Sequence, residues 1–180
     1  METNNFNIAI MIDSSMDETF PLQIARWLKT FSDDLDDSYY EIIDIKNYQQ
    51  FLSNGGTDPK ELETWNEKIH GFDGFIFVVQ EFSHQMLATF RNALLVNKKL
   101  WYKKVAGIIS YGSSNGDRAI NYLKDVFLEV HLTTIRKEVL LAFAKDFPLG
   151  IFEPHKLIKT EITELMLQVN SWGKAAIALR

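Results

Sequence analysis

An uninterrupted apolar run at residues 74–79 constrains the fold of this chain more than any other feature. Residues that stop helices flank the run, and a polar loop at residues 80–85 separates it from an apolar pattern of helical period. A buried strand that opens through a loop onto a helix is typical of open α/β sheets, which bind ligands at the carboxyl ends of their strands. Residues 72–92 therefore predict both a parallel sheet and the edge of that sheet where a ligand binds.

The same alternation of short apolar runs and helical patterns extends along the chain. Pro21 fits only the first turn of a helix, so it places the start of the first helix near Thr19. Glu41 and Asp44 interrupt the second apolar run, which predicts a partly exposed strand at the edge of the sheet. The predicted strands are residues 6–12, 39–45, 74–79, 105–111 and 133–143, the predicted helices are residues 19–31, 62–69, 86–97, 117–130 and 157–178, and residues 145–155 are predicted as a loop.

Five strands that alternate with five helices predict a doubly wound α/β sandwich, with a parallel sheet and helices on both faces. The right-handed crossover rule leaves few strand orders, and 2-1-3-4-5 is the commoner one for five strands. In that order the ligand crevice lies between the first and third strands, with walls formed by the loops at residues 13–20, 80–85 and 112–116. The length of 180 residues suits a single domain, and we expect residues 1–180 to form it.

Composition narrows the classes of function. The net charge is −5 and no basic run offers a footprint for nucleic acid. The chain has no cysteine, which excludes disulfides, thiolate nucleophiles and cysteine metal sites. No apolar segment approaches the ~18 residues of a membrane span or resembles a signal peptide, so we expect a cytoplasmic protein that does not bind membranes. The densest basic cluster is predicted to be a solvated rim, and it contains Lys98, Lys99, Lys103 and Lys104.

The loops of the predicted crevice carry recognisable motifs. Residues 65–94 read WNEKIHGFDGFIFVVQEFSHQMLATFRNAL, with a Trp, an Asp-Gly before the strand, and Arg91-Asn92-Ala93 in the helix. The third loop reads Ser110-Tyr111-Gly112 and continues through Gly116 to Arg-Ala. Over residues 6–130 the chain resembles the NADPH-dependent FMN reductase family, whose second loop reads Pro-Glu-Tyr-Asn and whose third loop reads Ser-Tyr-Gly before two glycines and Arg-Ala.

The resemblance implies a flavodoxin-like fold, FMN and NAD(P)H as cofactors, and a homodimer or homotetramer. It implies an oxidoreductase that passes hydride through the flavin to a small-molecule acceptor such as a flavin, a quinone or an azo compound. It assigns no catalytic side chain and no metal to the protein, because the flavin carries the chemistry. The flavin-binding positions it implies are Ser14, Ser15, Met16, Thr19, Gln80, Glu81, Phe82, Ser83, Ser110, Tyr111, Gly112, Asn115 and Gly116.

The first loop departs from the family pattern where the flavin phosphate is expected. Asp13 replaces a glycine, Met16 and Thr19 replace two arginines, and the loop adds Asp17 and Glu18. A carboxylate ~6 Å from a phosphate charge costs about 3 kcal/mol at an effective dielectric constant near 20. A lost charge-assisted hydrogen bond adds ~1.5–3 kcal/mol. The sequence therefore predicts weak binding of FMN, since each ~1.4 kcal/mol changes affinity tenfold.

A structural interpretation of the same acidic residues stays open. Residues 15–18 have the spacing of a capping box, in which acids stabilise the start of a helix and occupy its dipole. The second loop has lost its Pro, and Leu87-Ala88 replaces a Pro-Gly, which removes preorganisation and fills space near the ring. The alternative function is accordingly a flavodoxin-like binding or interaction protein that has lost tight FMN binding and redox activity.

Other sites have little support in the sequence. His84 beside Glu81 is more typical of a solvated loop than of acid–base catalysis, and the remaining histidines lack metal-ligand spacing. The serines lack the G-x-S-x-G elbow of hydrolases, and the paired aspartates of a receiver domain are missing. The resemblance also implies the surface of an isologous dimer at the third helix and its exit, where an aromatic and apolar cluster lies. A well-filled core is the alternative explanation for part of this cluster, whose members are Phe90, Leu94, Leu95, Trp101 and Tyr102.

Overall fold

The computed structural model describes residues 6–35, 37–81, 84–113 and 117–179. Five parallel strands form one sheet in the order 2-1-3-4-5, which confirms the predicted topology. The strands are β1 (Asn7–Ile12), β2 (Tyr39–Asp44), β3 (Gly74–Gln80), β4 (Val105–Gly112) and β5 (Thr133–Ala142). Ile8 of β1 pairs with Tyr40 on one side and with Gly74 on the other, so β1 and β3 are neighbours at the centre of the sheet.

The helices surround this sheet. They are α1 (Thr19–Ser32), α2 (Gln49–Ser53), α3 (Pro59–His70), α4 (His84–Leu95), α5 (Asp117–Glu129), α6 (Phe143–Asp146) and α7 (Lys156–Ile177). Short 3₁₀ turns occupy Ile45–Tyr48, Lys98–Trp101 and Pro148–Gly150. The long helices agree with the predicted ones to within a few residues.

Burial along the strands follows from their positions. All residues of β4 and all but the last of β3 are buried, which explains their continuous apolar runs. The edge strand β2 is partly exposed, as Glu41 and Asp44 predicted. In β5 the polar residues 136–138 fall where its register against β4 shifts, opposite Gly107. The interruption of that apolar run is therefore an irregularity in the strand pairing and not the end of the strand.

The core forms two clusters, one on each face of the sheet. One face holds α3, α4 and α5 around Trp65, Phe77 and Phe127, and the other holds α1 and α7 around Ile10, Leu28 and Leu165. The helix α7 lies close to the sheet because β3 and β4 present glycines to it. A Cβ atom on either Gly74 or Gly107 would lie 3.0 Å from Val169.

Local structure was predicted less completely than the topology. The helix α3 begins at Pro59 and not near residue 62, because the Asp58 side chain caps it and accepts hydrogen bonds from the Lys60 and Glu61 amides at 2.9 and 3.2 Å. The segment at residues 145–155, predicted as a loop, contains the end of α6 and a 3₁₀ turn. The sequence predicts a strand that ends at residue 45, and it predicts neither the 3₁₀ turn nor the helix α2 that follow up to residue 53.

Two surface predictions require correction. Lys104 is not part of a solvated rim: it is buried, and its Nζ donates to the Ile69 carbonyl at 2.9 Å at the end of α3. Three members of the predicted dimer cluster, Phe90, Leu94 and Trp101, are buried in the core of the monomer. The Trp101 indole donates to the Leu94 carbonyl at 2.9 Å. These three residues therefore belong to core packing, whereas Tyr102 is exposed, and the dimer stays a prediction.

Candidate functional site

The carboxyl ends of β1, β3 and β4 converge at one edge of the sheet, as the strand order requires. Gln80 pairs with Tyr111 at the ends of β3 and β4, and Ile12 pairs with Asp44 at the ends of β1 and β2. The helices α1 and α4 begin at the same edge. Of the predicted binding residues, nine lie in the described part of the chain at this edge, whereas Phe82, Ser83, Asn115 and Gly116 lie outside the described residues.

In the first loop, the chain's own carboxylates bind the backbone amides. The Ser14 amide donates to Asp44 Oδ1 at 3.1 Å, and the Ser14 hydroxyl donates to Asp44 Oδ2 at 2.5 Å. The Ser15 amide donates to Asp13 Oδ1 at 3.0 Å. The Thr19 amide donates to Asp17 Oδ1 at 2.8 Å. Amides of this kind make an anion site in phosphate-binding loops, and here carboxylate groups already occupy them.

The capping box predicted at residues 15–18 is wrong. Glu18 occupies the N-cap position of α1, and within the described residues its side chain makes no capping hydrogen bond. Its carboxylate pairs with Lys46 instead. This hydrogen bond to Lys46 lowers the pKa of Glu18, and it raises the pKa of Lys46 against the opposing effect of desolvation. Met16, at one of the positions where the family has arginine, is exposed.

Glu81 joins the second and third loops. Its amide donates to the Tyr111 carbonyl at 3.0 Å, and its side chain is buried against the backbone of Gly112. A Cβ atom on Gly112 would lie 2.8 Å from both the Cβ and a carboxylate oxygen of Glu81. Glycine is therefore required at this position by close contact with Glu81 and not by an unusual backbone angle.

Several buried polar atoms at this edge have no hydrogen-bond partner among the described residues. They are Asp13 Oδ2, Ser15 Oγ, Ser110 Oγ and the Tyr111 hydroxyl. Burial raises the pKa of Tyr111 above its ordinary value, and the negative charges of Asp17 and Asp13 raise it further. The Tyr111 hydroxyl thus lies within the field of the first loop. A buried polar group without a partner costs ~1–3 kcal/mol, so a cluster of them is typical of a site that a ligand or ordered water completes.

An aromatic wall adjoins the Tyr111 ring, and sequence reasoning missed it. Phe20, in the first turn of α1, lies 6.4 Å from the Tyr111 ring, 4.8 Å from Phe143 and 5.0 Å from Phe147 between ring centroids. Phe143 ends the predicted fifth strand but begins α6 in the structure, and Phe147 comes from the segment predicted as a loop. The sequence does not reveal the role of Asp44 either, because an acidic residue in a short apolar run indicates only an exposed strand.

The two ends of FMN fit this site differently. The Tyr111 hydroxyl, which has no partner among the described residues, and the adjoining aromatic rings suit a planar, hydrogen-bonding ring system. The first loop does not suit the phosphate, because carboxylates already hold three of its amides. The residues present therefore fit the isoalloxazine ring and do not fit the phosphate group of FMN.

Metal binding and membrane spanning have no support in the described residues. They contain no group of three or more His, Cys, Asp or Glu side chains arranged to hold a metal ion. Among the helices in this part of the chain, none combines the length and the apolar character needed to cross a membrane.

Comparison with known sequences agrees with the motif analysis. The sequence profile of the family described as NADPH-dependent FMN reductase matches residues 7–146. An NAD(P)H-dependent FMN reductase from Schizosaccharomyces pombe is 28% identical over 112 residues, which are 57% of this chain and 56% of the relative. An NAD(P)H:quinone oxidoreductase from Solanum tuberosum is 25% identical over 148 residues, 79% of this chain and 75% of the relative. An NAD(P)H-dependent FMN reductase from Nectria sp is 32% identical over 81 residues, 44% of this chain and 40% of that relative, so the chain spans about half the length of the two FMN reductases.

Comparison with solved structures agrees with the fold. An NADH:FMN oxidoreductase in its apo form superposes with a TM-score of 0.74 at 13% identity, covering 95% of this chain and 90% of the other. A flavoenzyme NAD(P)H:(acceptor) oxidoreductase from Paracoccus denitrificans gives a TM-score of 0.72 at 15% identity, covering 95% of this chain and 98% of the other. At these identities the likeness establishes a flavodoxin-like fold, as the strand order does independently.

Proposed function

Because the chain belongs to the NADPH-dependent FMN reductase family, we propose that it is a flavin-dependent NAD(P)H oxidoreductase. In this proposal the isoalloxazine ring binds at the carboxyl edge of β1, β3 and β4. The overall reaction oxidises NAD(P)H and delivers two electrons and two protons to a small acceptor, one proton coming from solvent. A flavin, a quinone or an azo compound is the class of acceptor we expect.

The observation that carries this proposal is the set of unpaired buried polar atoms at the crevice. Tyr111 and Asp13 are fully buried, yet the Tyr111 hydroxyl and Asp13 Oδ2 have no partner within the described residues. A buried polar group without a partner is costly, so a ligand that completes its hydrogen bonds would be stabilised by it. An isoalloxazine ring offers both donors and acceptors along its edge, and its faces suit the neighbouring Phe20 and Tyr111 rings.

The protein's part in this chemistry is to bind and orient. When bound, a flavin supplies the redox chemistry, and hydride transfer to it needs no protein base. The Glu81 amide is held by the Tyr111 carbonyl, which fixes the second loop against the third. Packing of Gly112 against Glu81 restricts the conformational freedom of the same two loops. Both contacts would hold the ring's surroundings in one arrangement before the ligand arrives.

The first test is the absorbance of the purified protein, before and after addition of excess FMN and riboflavin, together with quenching of flavin fluorescence. We expect quenching with at least one flavin, and NADPH or NADH oxidation that depends on that flavin and on an added quinone or azo dye. Tyr122→Phe, a change at an exposed position of α5, serves as the matched control for Tyr111→Phe, which we expect to weaken quenching. A colourless protein that quenches neither flavin at micromolar concentration would refute the proposal.

A second candidate is a flavodoxin-like binding protein without redox activity. The observation that favours it is the first loop, whose amides are held by Asp13, Asp17 and Asp44. A protein of this kind would bind neither FMN nor riboflavin and would not oxidise NAD(P)H at any flavin concentration. The same titration therefore separates the two candidates.

The assembly state forms part of the proposal. Members of the family usually form homodimers or homotetramers, and we expect the same of this chain. Several large apolar side chains are exposed on the monomer, and those of α7 include Leu157, Leu167 and Trp172. Light scattering coupled to gel filtration would give the mass, and a monomer at tens of micromolar would contradict this part.

A further inference from the structure

The first loop does not suit a phosphate, because carboxylates of the chain already hold three of its amides. We propose that the crevice takes a flavin without a phosphate, namely riboflavin or another isoalloxazine with an uncharged, hydroxyl-bearing side chain, and that the loop carboxylates discriminate against FMN. This inference rests on the proposed function, because it assumes that an isoalloxazine ring binds at the carboxyl edge of the sheet.

Hydrogen bonding is the first argument. Asp44 holds both the amide and the hydroxyl of Ser14, and Asp17 holds the amide of Thr19. A phosphate in this loop must displace carboxylates that lie on strands and turns of the same chain and that remain close by. Each hydrogen bond that an amide of the loop donates to the phosphate is therefore a hydrogen bond that a carboxylate of the chain loses, so there is no net gain in hydrogen bonds. A neutral ligand leaves these bonds intact.

Asp13 supplies an independent observation that points to a hydroxyl donor. The residue is fully buried, and its Oδ1 accepts the Ser15 amide while its Oδ2 has no partner among the described residues. An ionised carboxylate oxygen can only accept hydrogen bonds. A ribityl hydroxyl donates one, whereas the phosphate dianion of FMN presents only acceptors there. The two flavins differ only at the end of the side chain, and there Asp13 Oδ2 fits the terminal hydroxyl of riboflavin and opposes the phosphate of FMN.

Charge is the third argument. Four carboxylates belong to the first loop and the adjoining end of β2, namely Asp13, Asp17, Glu18 and Asp44. Lys46 lies within the field of Asp13, Asp44 and Glu18, but its Nζ is already paired with Glu18. A flavin phosphate carries roughly −1.5 to −2 charges at pH 7, so it adds to an excess of negative charge. An uncharged side chain avoids this repulsion.

The experiment compares dissociation constants for riboflavin, FMN and lumiflavin by fluorescence quenching at pH 7.5 and low ionic strength. We expect riboflavin to bind at least tenfold more tightly than FMN, a difference of ~1.4 kcal/mol. The ratio should shrink in 0.5 M salt, because screening weakens the repulsion of the phosphate. Lumiflavin, which carries the ring without the hydroxylated side chain, should bind more weakly than riboflavin and be insensitive to salt.

Isosteric variants separate the charge of the loop from its shape. Asp17→Asn keeps an oxygen for the Thr19 amide and removes one charge, so it should raise the affinity for FMN several-fold and leave the affinity for riboflavin unchanged. Asp13→Asn replaces the Oδ2 acceptor, which has no partner among the described residues, by a donor. It should therefore lower the affinity for riboflavin and raise the affinity for FMN. Asp34→Asn, an exposed change beyond the far end of α1, is the matched control and should alter neither constant. Far-ultraviolet circular dichroism checks that each variant is folded.

The outcomes distinguish this inference from the function on which it rests. FMN binding as tightly as riboflavin, or more tightly, in the native protein would overturn the inference and leave the oxidoreductase proposal standing. Absence of binding by all three flavins would overturn both. A riboflavin preference that persists unchanged in both Asp13→Asn and Asp17→Asn would overturn the role given to the loop carboxylates.

Discussion

Replacement of Tyr111 by phenylalanine should stabilise the ligand-free protein and weaken its flavin binding. The residue is fully buried, and its hydroxyl has no hydrogen-bond partner within the described part of the chain. Its ring contacts Phe20 at 6.4 Å and Phe143 at 6.0 Å between centroids, and Tyr111→Phe retains both contacts. The substitution therefore removes an unpaired polar atom at almost no cost in packing.

The size of the effect follows from the cost of that atom. A buried polar group without a partner costs ~1–3 kcal/mol, so we expect a gain of about 1 kcal/mol in the free energy of unfolding. For a chain of this length that gain raises the melting temperature by ~2–4 °C. Flavin affinity should fall by about tenfold if the ligand completes the hydrogen bond of the hydroxyl.

The dependence of stability on pH gives a second readout. Burial, together with Asp17 and Asp13, raises the pKa of Tyr111 in the folded protein. The unfolded chain loses this proton near pH 10, so the native protein loses stability as the pH rises above that value, by up to ~1.4 kcal/mol per pH unit from this group. The advantage of Tyr111→Phe should therefore widen between pH 10 and pH 11.

Urea unfolding of the native protein and Tyr111→Phe at pH 7.5, 10 and 11 measures both effects. Tyr122→Phe, at an exposed position, is the control and should change stability by less than about 0.5 kcal/mol. A loss of 1 kcal/mol or more in ligand-free Tyr111→Phe would refute the reasoning, because it would mean that the hydroxyl is already hydrogen-bonded.

Three further predictions concern the loops and the opposite edge of the sheet. Gly112→Ala should destabilise the protein by ~1–3 kcal/mol in urea unfolding, since the new Cβ would lie 2.8 Å from Glu81, whereas Gly71→Ala, with no neighbour nearer than 3.6 Å, should be nearly neutral. Lys104→Met should cost ~1.5–3 kcal/mol by the same measurement, because it removes the bond from Nζ to the Ile69 carbonyl, and a neutral result would contradict the structural role given to this lysine. Met16→Arg should tighten FMN roughly tenfold without affecting riboflavin in a fluorescence titration, since the side chain is exposed beside the loop carboxylates; equal effects on both flavins would argue against a phosphate contact there.

The fold could be predicted because its signals are local. Each central strand is a short apolar run, and the crossover rule converts the order of elements into the order of strands. The start of α1 at Thr19 followed from Pro21 alone. The topology also predicts which edge of the sheet holds the site, since the carboxyl ends of parallel strands lie at the same edge.

The inner arrangement of the site could not be predicted, because it depends on contacts between distant parts of the chain. Asp44 binds Ser14 across 30 residues, and no periodicity reveals such a pair. The loop acids were recognised, but their spacing suggested a capping box, whereas Glu18 pairs with Lys46. Phe147 reaches Phe20 from a segment that the sequence marks only as irregular. Burial of Lys104 likewise depends on where α3 ends.

The central claim is that the crevice binds the flavin ring but not its phosphate, because carboxylates of the chain hold the amides of the first loop. Backbone amide chemical shifts test this claim directly. Amide chemical shifts of the isotopically labelled protein should be recorded during titration with riboflavin and, separately, with FMN. With riboflavin we expect the amides of Tyr111 and Gly112 to shift, and that of Thr19, which Asp17 already holds, to stay in place. Large shifts of the Ser14 and Thr19 amides with FMN, larger than those at Tyr111, would contradict this division and would show that the loop binds phosphate.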